Sequence, residues 1–93
     1  MPFAQQTFVN EQSGPIYISV EPWPWCYELE PTEKLTLIYE LPKRGDALDI
    51  RFINDRELVI WPTELNPEPV VLINGKSADD RNWNFKHEIA RPK

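Results

Sequence analysis

The sequence predicts a small all-β domain, an antiparallel sandwich or barrel of about six to eight short strands. Three observations point there. Apolar residues alternate with polar ones in short runs, the pattern of strands with one face buried. Those runs are broken by Pro, Gly, Asn and Asp, the residues of turns. Ten prolines among 93 residues exclude a bundle of long helices, because proline removes a backbone donor and breaks helix interiors. With 41% hydrophobic residues the chain has enough apolar surface for one modest core, and residues 1–93 are expected to form a single domain.

Along the chain, residues 1–10 lack the basic start and apolar run of a secretory signal. In PIYISVE, Ile16, Ile18 and Val20 share a face opposite Tyr17, Ser19 and Glu21. In EPWPWCYELEP the prolines force extended backbone at Glu21 and Trp23. Trp23, Trp25, Tyr27 and Leu29 then point one way, and Pro24, Cys26, Glu28 and Glu30 the other. Tyr27 and Leu29 are expected in the core, while Trp23, between two prolines, is expected at an edge and partly exposed. The phrase Leu29-Glu30-Pro31-Thr32-Glu33-Lys34-Leu35 resembles the strand, proline turn and strand of bacterial immunoglobulin-like sandwiches. That resemblance implies a general two-sheet architecture and no activity.

In KLTLIYEL, Leu35, Leu37, Tyr39 and Leu41 oppose Thr36, Ile38 and Glu40. In ALDIRFI, Leu48, Ile50 and Phe52 oppose Asp49 and Arg51. Asn54-Asp55-Arg56 is a short polar hairpin connection to ELVIW. Pro62 to Pro69 reads as a surface loop. Asn74-Gly75 suits a type I′ turn, which needs positive φ at both central residues. The second arm of that turn, residues 76–79, is too polar to mark a strand by itself. Two readings stand for the C-terminal region. Ser77-Ala78-Asp79-Asp80 fits a helix cap, opening a helix over residues 78–90. Trp83, Phe85, His87 and Ile89 alternate with Asn84, Lys86, Glu88 and Ala90, which favours a strand.

Charge and composition narrow the function. The net charge is −5, and it lies in one half of the chain. Residues 1–42 carry Glu11, Glu21, Glu28, Glu30, Glu33 and Glu40 against Lys34 alone, whereas acids and bases balance in residues 43–93. An acidic half repels phosphate backbones, so no nucleic-acid partner is expected. No apolar stretch reaches the length needed to span a bilayer as a helix, so no membrane partner is expected either. A single cysteine forms no internal disulfide, and a cytoplasmic location is the default.

No cofactor or metal motif is present. A blue-copper centre needs two histidines and a structural zinc four Cys or His ligands. This chain has one histidine, His87, and one cysteine, Cys26. Cys26 lies among Trp25, Tyr27 and Glu28, a setting that disfavours the thiolate and hence a nucleophilic Cys–His pair. Gly14, Gly45 and Gly75 are isolated, so no phosphate-binding loop can be built. Arg44-Gly45-Asp46 resembles the integrin-binding triplet of secreted adhesion proteins, but a polar loop between strands accounts for it.

The chain is therefore not expected to be an enzyme. The leading expectation is a small acidic protein-binding module, of inhibitor or immunity type, that meets a basic protein partner. Its candidate binding residues are Trp23, Trp25, Glu21, Glu28 and Glu30. The alternative is a carbohydrate-binding module using exposed tryptophans to stack on sugar rings.

Overall fold

A computed structural model describes residues 2–82 of the chain. Eight strands follow in order: β1 (Phe3–Val9), β2 (Ile16–Val20), β3 (Trp25–Leu29), β4 (Lys34–Glu40), β5 (Leu48–Asn54), β6 (Glu57–Pro62), β7 (Val70–Ile73) and β8 (Lys76–Ser77). They form two four-stranded sheets, ordered β1-β4-β7-β8 and β3-β2-β6-β5. The alternation seen in sequence decides which side chains meet between them. Ile18, Val20, Tyr27, Leu29 and Ile60 of the second sheet close one core with Leu35, Leu37, Tyr39, Val71 and Ile73 of the first. Burying each such aliphatic side chain stabilises the fold by roughly 1.5–3 kcal/mol.

Among the described residues the strand pairings are antiparallel with one exception, which corrects the all-antiparallel expectation. β2 runs parallel to β6, with Tyr17 opposite Glu57 and Val20 opposite Ile60. A parallel neighbour needs a long crossover, and here the chain passes through β4 of the other sheet before returning. Alternation reports the face of a strand and not its neighbour, so this pairing leaves no local trace in sequence.

Local turn chemistry does leave traces. β7 and β8 are joined at Asn74 (φ 53°) and Gly75 (φ 82°), both in the left-handed region as the dipeptide predicts. The Asn74 carboxamide also accepts the Lys34 amide at 3.0 Å, tying this turn to the start of β4. β5 and β6 form the expected hairpin, with a register shift at Ile53 between Phe52 and Asn54. Among the described residues the cis peptide bonds are Glu21-Pro22 and Asn66-Pro67.

One strand carries no signal in the sequence, and two apolar positions depart from expectation. β1 was not signalled, because its inward positions are Ala4, Gln6 and Phe8, opposite Tyr39, Leu37 and Leu35. A glutamine in the middle of the inward row breaks the apolar alternation. Leu41 and Phe52 continue inward-facing rows but are exposed, Phe52 by 78%; Leu41 lies past the end of β4, and Phe52 lies on the end strand of its sheet beside the register shift. Where a helix over residues 78–90 would open, Asp79–Arg81 make a single 3-10 turn, and residues 83–90, on which both the helix and the strand reading fall, lie outside the described residues.

Candidate functional site

Residues 21–24 make the turn between β2 and β3, closed by Val20 pairing with Trp25. The prolines at 22 and 24 lack an amide hydrogen, so pairing resumes only at Trp25. Trp23 is thus in a turn rather than on an extended strand. It folds back so that its ring stacks on Trp25, centroids 5.0 Å apart and planes inclined by 14°. Both rings are half-buried and pack against the core. Tyr27 and Leu29 follow on the same face and are buried.

The candidate acids lie elsewhere. Glu28 stands on the outer face of β3, across from Tyr17 of β2, whose hydroxyl donates to its carboxylate at 3.5 Å. The Tyr17 phenol titrates above its ordinary value through burial, the charge and hydrogen bond of Glu28, and the charge of Glu30, against which Arg56 pulls down. Glu28 and Glu30 therefore share the outer flank around Tyr17. Glu21 sits in the turn, half-buried, its amide donating to Ile60 O at 2.9 Å. Of the candidate residues, Trp23 and Trp25 come together, while Glu28 and Glu30 gather around Tyr17 instead. Cys26 is half-buried on the outer face beside Ser19. His87 and Trp83 lie outside the described residues.

Among the described residues β3 is an end strand, and the segment after β8 is latched across it as far as Asn82. The Arg81 guanidinium donates to both Glu33 carboxylate oxygens, at 2.7 and 3.1 Å, and to Glu28 O at 3.1 Å. Its charge is held more firmly than usual, mainly by the Glu33 hydrogen bonds. Asn82 is buried, bridges Tyr27, and accepts the Cys26 amide at 3.4 Å.

Between β3 and β7 this arrangement leaves an open cleft of about 470 Å³. Trp25 and Tyr27 form its aromatic side, Pro69, Val70 and Val71 its aliphatic side, and Ser77 and Asn82 also line it. Glu68 and Asp79 supply its carboxylates. The Tyr27 phenol is pushed well above its ordinary value by burial, then by the charge of Asp79 and by Cys26, so it stays a neutral hydroxyl. Aromatic faces beside carboxylates suit a lysine or arginine side chain, which gains from both ring quadrupole and ion pairing. Glu68 and Asp79 were missed as site residues because tertiary packing alone brings them to Trp25.

No protein-family model, curated protein or solved structure matches the chain. Among the described residues no group of three His, Cys, Asp or Glu side chains is placed to hold a metal ion. No helix among them is long and apolar enough to cross a membrane.

Proposed function

We propose that this chain is a non-catalytic binding module for a basic protein segment, with a lysine or arginine side chain entering the cleft between β3 and β7. One observation carries this reading: Trp25 and Tyr27 line the same cleft as Glu68 and Asp79. The pocket-sized volume fits one long cationic side chain and its stem. Glu28 and Glu30 on the outer flank add to the field that steers a basic partner toward this end of the molecule. The proposal keeps Trp25 of the expected site, with Trp23 stacked behind it, and replaces the expected acids by Glu68 and Asp79 in the cleft. A cytosolic place of action goes with it, on the single cysteine. The general likeness to immunoglobulin-like sandwiches concerns architecture and adds no activity.

The carbohydrate reading has less support. Trp23 and Trp25 cover one face of each other, and Trp61, 40% exposed, lies on the outer face of β6 opposite Asp49. These three do not form one flat platform for a sugar chain.

A titration with a short arginine-rich peptide, followed by NMR, tests the proposal. Binding is expected to move the Trp25 indole and to weaken with salt. Asp79→Asn with Glu68→Gln should weaken it about tenfold, more than Glu28→Gln with Glu30→Gln, because only the first pair lines the cleft that receives the cationic side chain and ion pairing weakens with distance. Equal loss from both pairs would reduce the effect to general acidity and overturn the assignment of the cleft. Binding of a cello- or chito-oligosaccharide that moves the same indole would favour the alternative.

A further inference from the structure

The other end of the second sheet carries a feature that the cleft does not use. Among the described residues β5 ends that sheet, paired with β6 on one side only. Bare strand edges are templates for another strand, and proteins usually blunt them with charge or bulges. β5 has both, but the bulge at Ile53 comes late, leaving Leu48–Phe52 as a regular stretch. Phe52 and Ile53, 78% and 58% exposed, are the two most exposed of the large hydrophobic residues beside that stretch. Asp49 and Arg51 stand on its outer face, where they pair with each other at 3.0 Å.

We infer that β5 is a self-association edge, at which a second copy of this chain adds its own β5 antiparallel about a two-fold axis at Ile50. Charge selects both the occupant and the register. With the axis at Ile50, Asp49 of each copy opposes Arg51 of the other, on the outer face. On the inner face Ile50 opposes Ile50, and Leu48 opposes Phe52, covering the exposed ring. An axis at Asp49 or Arg51 sets like charges face to face, which destabilises a cross-strand pair. An axis between two residues opposes inward side chains with outward ones and breaks the pleat. The sequence Leu-Asp-Ile-Arg-Phe is thus complementary to itself in one register, as an isologous contact requires. The product is a continuous sheet running from β3 of one copy to β3 of the other.

Sedimentation velocity of the full chain over a wide concentration range tests this. The wild type is expected to double in mass as concentration rises. Asp49→Arg alone and Arg51→Asp alone should each weaken self-association about tenfold or more, since each turns two attractive oppositions per dimer into repulsive ones. The double variant Asp49→Arg with Arg51→Asp should regain the wild-type behaviour. An equimolar mixture of the two single variants should form a mixed dimer. Circular dichroism should be unchanged in all, because both side chains are exposed. A wild type that stays monomeric throughout, or single variants that dimerise as well as the wild type, would overturn the inference. So would a mixture that fails to pair. Glu68→Gln and Asp79→Asn should leave the mass unchanged, so this result and the peptide titration stand or fall separately.

Discussion

Asn10 is a fully buried polar residue at the corner where β1 leaves the first sheet. Its carboxamide donates to Gly14 O and Leu29 O, both at 2.9 Å, and accepts the Gln12 amide at 2.9 Å. Its backbone accepts from the Thr32 amide and donates to Glu33 O. One side chain thus joins the β1–β2 connection to the end of β3. Asn10→Ala leaves Leu29 O without this partner inside the core and is expected to cost about 2–4 kcal/mol in urea unfolding. Asn10→Asp puts a carboxylate against two carbonyl oxygens, so this variant should recover stability as its carboxyl protonates in acid. Tyr27 supplies a prediction in the opposite direction of pH. Its folded phenol titrates above the ordinary 10.0, so the neutral ring stabilises the fold fully below that value. Stability should fall as pH rises past about 10, by up to about 1.4 kcal/mol per pH unit. Tyr27→Phe should flatten this part of a denaturation-versus-pH profile.

Among the elements, the latch over β3 shows how side chains tie a later segment to the end strand of a sheet. Glu33 and Arg81 are half-buried, at 2.7 Å, and Glu33 also accepts the Glu30 amide at 2.8 Å. Arg81→Ala and Glu33→Ala should each cost about 1 kcal/mol after allowing for solvent screening. The double variant should cost little more than the larger single one, a coupling that a double-mutant cycle measures. These same elements mark how far the sequence was legible. β2, β4 and the β7–β8 hairpin were readable because alternation or a turn dipeptide is local. β1 was not, since Gln6 occupies an inward place that the sheet edge leaves wet. Phe52 was assigned to the right face and yet is exposed, because a row of residues does not record where its cover ends. The site was half legible in the same way. Trp25 and Tyr27 are close in sequence, but Glu68 and Asp79 reach them only through the packing of β7 and the 3-10 turn.

At the scale of the whole molecule, the order of strands divides both sheets at the same point of the chain. Residues before the exposed Lys43–Asp46 loop supply β1 and β4 to one sheet and β3 and β2 to the other. Residues after it supply β7 and β8, then β6 and β5. The seams are β4 against β7 and β2 against β6, and no strand of one half lies between two strands of the other. The chain is therefore severable. Cut between Arg44 and Gly45, it yields two pieces that each hold half of every layer and cannot cover their own apolar faces. Alone, each piece should show little fixed structure by circular dichroism; mixed, they should regain the sheet signal and Trp25 fluorescence in a concentration-dependent way. The acidic piece carries β3 with Trp25 and Tyr27, and the other carries Glu68 and Asp79, so the cleft should exist only when the two are reunited.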